Sequence, residues 1–146
     1  MSRILVPLDT SDVAARALDS AASLARALDA EVVLLTVLDL DALHALNPIM
    51  ESDGITAVRA AQTYQELVVT QLVKEDIQAE GLVVSGKDTA AVIVDTAEQQ
   101  NVDMIVMCTH GRSGPARWLL GSVTQRVVRA STVPVHIFPV RSIKEQ

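Results

Sequence analysis

The residues best suited to chemistry in this chain lie between Cys108 and Thr124: Gly111, Gly114 and Gly121, with Arg112, Arg117, Ser122 and Thr124 among them. Their chemistry is that of holding an anion. Glycine lets a ligand approach the backbone closely. A glycine directly before a helix also leaves free N–H groups at the positive end of the helix dipole. Gly121-Ser122 fits that description, because Val123, Thr124, Val127 and Val128 follow at helical spacing. Ser122 and Thr124 could add hydroxyl donors, and Arg112 and Arg117 could add charge. The plainer alternative, that Gly121 ends a turn and Ser122 caps the helix, stays open on spacing alone. Neither Gly-Lys-Ser/Thr nor Gly-x-Gly-x-x-Gly occurs, so this is neither a Walker loop nor a dinucleotide fingerprint.

No catalytic set accompanies these residues, and none is expected. His110 reads as a structural residue of the loop, and Cys108 as a small buried residue rather than a nucleophile. Trp118 reads as the packing anchor of the loop. His44 and His136 stand too far apart in sequence to suggest a metal site, and none is expected. Asp39 and Asp41 read as solvated loop charge.

The elements that must position this segment follow from hydrophobic patterning. Continuous apolar runs at Arg3–Leu8, Val32–Leu38, Leu82–Gly86, Met104–Cys108 and Val133–Val140 read as buried strands. Between the first two, Ala17, Leu18, Ala21, Leu24, Ala25 and Leu28 recur at helical spacing, with Thr10 or Ser11 as N-cap. A long helix is expected from about Ile55 to Glu80 and ended by Gly81, with an apolar stripe that includes Val58, Ala61, Leu67, Val68, Leu72 and Ile77. A further helix follows Asp88 or Thr89, and another runs from Ser122 to about Ala130. Residues 39–54 read as a loop with a helical turn at most, marked by Asn47-Pro48 and Asp53-Gly54. Strands that alternate with helices specify an α/β fold with a parallel sheet covered on both faces. The chain, residues 1–146, reads as one domain.

Ligands of such sheets bind beyond the carboxyl ends of the strands, where strand order reverses. Pro7, Leu8, Asp9 and Thr10 follow the first strand; Thr36, Val37, Leu38 and Asp39 end the second; Met107 through Ser122 follow the fourth. All the interesting residues therefore share one edge.

Composition narrows the partners. Of the 146 residues 49% are hydrophobic and only 2% aromatic, so the core must be aliphatic. A net charge of −6 disfavours nucleic acid as a partner. The single cysteine excludes an internal disulfide. The first apolar run is too short for a signal peptide, and no run approaches the ~20 residues of a membrane span. A soluble cytoplasmic protein with no membrane partner is the expectation.

Four segments together give a resemblance over nearly the whole length: "RILVPLDTSD", "VLLTVLD", "VDMIVMCTHGRSGPARWLLGSVTQRVVR" and "TVPVHIFPV". In these the chain resembles the universal stress protein family. The nucleotide-binding branch of that family carries Gly, two residues, Gly, nine residues, Gly, then Ser or Thr. Gly111, nine residues, Gly121 and Ser122 match the later part, whereas Cys108 stands where the first glycine would fall. Gly114 is too near Gly121 to be the second glycine.

The resemblance implies a Rossmann-like sheet of the adenine nucleotide alpha hydrolase type, five strands in the order 3-2-1-4-5. It implies ATP as ligand, with AMP or ADP as alternatives, and Mg²⁺ bridging the phosphates. The loop from Gly111 to Gly121, with Arg112 and Gly114 inside it, would wrap the phosphates beside Ser122. Val123 and Thr124 would lie beside phosphate or ribose. Asp9 would face ribose or base, Pro7 and Val37 would border adenine, and Met107 would line the wall with Leu8 and Thr36 nearby. A homodimer through Val133–Val140 and a protein client are implied as well. A member of the family that binds no nucleotide and works as a dimeric interaction module, and a slow ATPase, stand as the alternatives.

Overall fold

The computed structural model describes residues 1–8, 12–46, 53–110 and 121–140. Strand β1 (Ser2–Pro7) is followed by helix α1 (Asp12–Leu28), β2 (Ala30–Leu38), the short α2 (Leu40–Leu46) and the long α3 (Asp53–Lys74). Then come β3 (Ala79–Ser85), α4 (Thr89–Gln99), β4 (Met104–His110), α5 (Ser122–Ala130) and β5 (Val135–Val140). The five strands form one sheet in the order β3-β2-β1-β4-β5. Every pairing is parallel, with Ile4 opposite both Val32 and Met104, and Ile105 opposite Val135. The expected fold class and strand order are those observed.

Both faces of the sheet are covered, which explains the continuous apolar runs. Ile4, Val6, Val32, Leu34 and Val106 pack with Ala21 and Ala25 of α1 and Val68 and Leu72 of α3. The alternate residues Leu5, Val33, Leu35, Ile105 and Met107 pack with Ile93 and Ala97 of α4 and Val127 of α5. Each large aliphatic side chain so buried stabilises the fold by about 1.5–3 kcal/mol.

Three helices end at a left-handed residue that is not glycine. Asp29, Asp76 and Asn101 take left-handed φ values of 49°, 61° and 50° after α1, α3 and α4. Asp and Asn tolerate that region better than other residues with a Cβ. Beyond Asp76 the Ile77 N–H donates to the Leu72 carbonyl at 3.0 Å, and beyond Asn101 the Val102 N–H donates to that of Ala97 at 3.1 Å. These bonds satisfy helix carbonyls in the Schellman manner.

The expected end of the long helix at Gly81 is therefore corrected. Asp76 ends it, and Gly81 sits inside β3. Leu67, placed on its apolar stripe, is 68% exposed. Residues 40–46 form α2 rather than loop; the Asp39 carboxylate accepts the Ala42 N–H at 3.0 Å and so caps its start. Asp53-Gly54 begins α3 instead of marking a turn.

At the amino edge of the sheet, Arg3 ties the strands together. Its N–H donates to Asp103 at 2.8 Å, and its guanidinium reaches Glu31 at 3.1 Å, the Gln100 carbonyl at 2.6 Å and Glu80. The opposite, carboxyl edge carries the cavity.

Candidate functional site

The carboxyl ends of β1, β2 and β4 and the N-terminus of α5 enclose a cavity of about 630 Å³. It lies where the strand order reverses, between β1 and β4. Pro7 and Leu8 line it from β1, and the Leu8 N–H is held by the Leu35 carbonyl at 2.7 Å. Thr36 and Val37 line it from β2, Met107 and Cys108 from β4, and Gly121 through Thr124 from α5. The structure thus brings nine of the residues expected from sequence into one cavity. Asp9, Gly111, Arg112 and Gly114 lie outside the described residues, as do Arg117, Trp118 and the side chain of His110.

The start of α5 is open. Gly121 is its N-cap, with φ −60° and ψ 159°, and offers no side chain to cap it. Ser122 is the first helical residue, so the reading of Ser122 as cap is corrected. The first intrahelical bond runs from the Gln125 N–H to the Gly121 carbonyl at 3.0 Å. The earlier amides, those of Ser122, Val123 and Thr124, precede it and have no helical partner. The first turn contains no acidic residue that would occupy this positive end. Gly121 needs no special backbone conformation, and a Cβ built on it meets no atom of the described residues within 4 Å. Nothing in the described fold demands glycine there.

Cys108 belongs to the extended strand β4, where it pairs with Phe138. It is not among the positive-φ residues. The absence of the motif's first glycine therefore costs no backbone strain, and the Cys108 side chain contributes to the cavity wall instead.

The other wall was not legible from sequence. Leu43 of α2 and Ala57, Ala60 and Ala61 of α3 close one side; Thr89 and Ile93 of α4 close the other. The available signal was the spacing of the three alanines, which leaves one helix face without bulk. Behind this wall Gln65, only 3% exposed, donates through Nε2 to Thr36 Oγ1 at 3.0 Å and to the Leu82 carbonyl at 2.7 Å.

Four described charged residues near the cavity-lining Leu43, Thr89 and Thr124 in sequence are paired. The Asp88 carboxylate accepts the Ala91 N–H at 3.2 Å, capping α4, and also Arg126 Nη2 of α5 at 2.5 Å. The Arg126 hydrogen bond, then the backbone N–H, hold the Asp88 carboxyl below its usual range; Asp88 in turn holds Arg126 above its own. Lys87 pairs with Asp41 at 3.1 Å and is raised by that contact. Asp39 and Asp41 thus have structural partners. Among the described residues no group of three or more His, Cys, Asp or Glu could hold a metal ion. No described helix is long and apolar enough to cross a membrane.

The model of the Universal stress protein family matches residues 1–139. Universal stress protein YxiE of Bacillus subtilis is 32% identical over 153 aligned positions, which cover 93% of this chain and 97% of that protein. The solved structure of MJ0577, a universal stress protein of Methanocaldococcus jannaschii, superposes with a TM-score of 0.80. It is 28% identical and covers 97% of each chain. A universal stress protein of Archaeoglobus fulgidus, solved in complex with dAMP, gives a TM-score of 0.68 at 24% identity over 94% of this chain and 97% of that one. At that identity the likeness is one of fold.

Proposed function

The chain belongs to the universal stress protein family, and from that premise we propose that it binds an adenine nucleotide, ATP foremost, at the cavity between β1, β4 and α5. The observation that carries this reading is the N-terminus of α5, which has no side-chain cap from Gly121 and opens on the cavity behind a glycine whose missing Cβ nothing among the described residues requires. Such an end binds phosphate through backbone N–H groups and the helix dipole. The aliphatic wall beyond it suits a flat base. The A. fulgidus protein of the same fold, solved in complex with dAMP, supports this reading.

In this reading Ser122, Val123 and Thr124 hold phosphate. Pro7, Leu8, Thr36, Val37 and Met107 surround base and ribose, with Asp9 beside the ribose. Gly111, Arg112 and Gly114 belong to the loop that closes over the phosphates. Mg²⁺ would bridge phosphate oxygens and complete its shell with water, which needs no dedicated protein cage. The last strand, an edge of the sheet, would pair with a second copy along Val133–Val140 and cover its open hydrogen-bonding groups. The protein then acts in the cytoplasm as a nucleotide-dependent signalling or protective module toward a protein client.

Two measurements test the binding. Mass spectrometry of small molecules carried by the purified protein should find an adenine nucleotide. Calorimetric titration with ATP–Mg²⁺ should saturate and raise the melting temperature. A protein that carries none and shows no saturable heat at millimolar ATP is instead a nucleotide-free interaction module.

A further inference from the structure

We infer that Thr36 donates a hydrogen bond from its hydroxyl to a ring nitrogen of the bound base, and that Gln65 fixes this polarity as a positioning residue. The inference deepens the nucleotide reading above and rests on it.

The Leu82 carbonyl can only accept, so the Gln65 atom 2.7 Å away must be the amide nitrogen. The flipped amide would set two oxygens against each other. The same nitrogen lies 3.0 Å from Thr36 Oγ1. Its two protons are thereby assigned, one to Leu82 and one to Thr36. Thr36 Oγ1 must accept, which leaves its own proton to be directed elsewhere. Thr36 is 4% exposed and lines the cavity. Among the described residues no hydrogen bond donated by Thr36 is made.

A buried hydroxyl proton without an acceptor is unfavourable, and a ligand acceptor in the cavity relieves this. The surrounding wall on this side of the sheet, Leu43, Ala57, Ala60 and Ala61, is aliphatic and offers shape alone. One donor in an apolar wall selects a flat ring that presents an acceptor. Adenine presents N1, N3 and N7 as acceptors, whereas N1 of guanine and hypoxanthine carries a proton. Gly81 completes the device from β3. A Cβ at Gly81 would stand 2.6 Å from Gln65 Oε1, so this strand glycine leaves the amide its place.

The test is a calorimetric titration of wild type, Thr36→Val, Thr36→Ser, Gln65→Leu and the double variant Thr36→Val/Gln65→Leu, using ATP and its 1-deaza, 3-deaza and 7-deaza analogues. Thr36→Val keeps the shape and removes the donor; ATP should bind about three- to tenfold more weakly. Thr36→Ser should bind as wild type does. One of the three deaza analogues should lose the same factor against wild type and nothing further against Thr36→Val. Gln65→Leu should weaken ATP, yet add no loss in the Thr36→Val background; a purely structural role would add one. Equal binding of ATP by wild type and Thr36→Val overturns this inference and leaves the nucleotide reading standing. So does wild-type binding of all three analogues as tightly as ATP, a result that needs no variant. Absence of ATP binding by wild type overturns both.

Discussion

The carboxylate of Asp88 accepts Arg126 Nη2 at 2.5 Å, joining the N-cap of α4 to the helix whose own N-terminus opens on the cavity. The contact spans 38 residues of sequence and sets one end of α4 against α5. Arg126, one turn beyond Ser122, is thereby engaged away from the amides of the first turn.

This pair gives a pH dependence with a definite sign. Arg126, then the Ala91 N–H, lower the Asp88 carboxyl below 3.8 in the folded protein. A depressed carboxyl contributes stability that is present above 3.8 and lost as pH falls through its lower folded value. Asp88→Asn retains a cap acceptor and removes the ion pair. We expect wild type to melt slightly above Asp88→Asn at neutral pH, and the gap to close in acid below 3.8. Thermal unfolding followed by circular dichroism across that range checks it; a gap independent of pH would refute it.

Lys87 and Asp41 offer a contrast. Their side chains are 76% and 75% exposed, so water and salt screen the pair despite its 3.1 Å separation. Lys87→Ala should leave the melting temperature unchanged within experimental error. A clear drop would mean that the contact fastens α2 more firmly than its exposure allows.

Gly81→Ala should destabilise the fold by about 1–2 kcal/mol, because a Cβ 2.6 Å from Gln65 Oε1 and 3.0 Å from its Cβ forces Gln65 from its buried bonds. The same substitution in a Gln65→Ala background should be neutral or stabilising by up to about 1 kcal/mol, since a strand interior prefers alanine. Urea unfolding of the four proteins measures the difference. Equal losses in both backgrounds would separate the glycine from Gln65.

The βα order was readable because both sheet faces are covered, so strands such as Ile4-Leu5-Val6 are continuously buried. The first helix was readable from Ala21 and Ala25, which pack in the core against the sheet, and from Ala17, which is buried and lines the cavity. Its neighbour was misread at its end because Asp76, not a glycine, takes the left-handed turn, and a glycine five residues later serves a side chain instead. The glycine and hydroxyl residues of the cavity were legible since their chemistry is local. The aliphatic wall was not. Ala57, Ala60 and Ala61 gain their role only from where α3 crosses the sheet edge, and Gln65 only from the carbonyl it meets.

The central claim, phosphate held against the backbone at Gly121, is tested most directly by calorimetric titration of ATP–Mg²⁺ into wild type and Gly121→Val. Among the described residues a Cβ at this position meets no atom within 4 Å, so the variant should fold and melt as wild type does. Its added bulk should block the approach of phosphate to the amides of Ser122 to Thr124 and reduce affinity at least tenfold. Saturable binding by wild type with that loss in the variant is the predicted result. Undiminished ATP binding by a folded Gly121→Val would contradict the account and place the phosphates elsewhere.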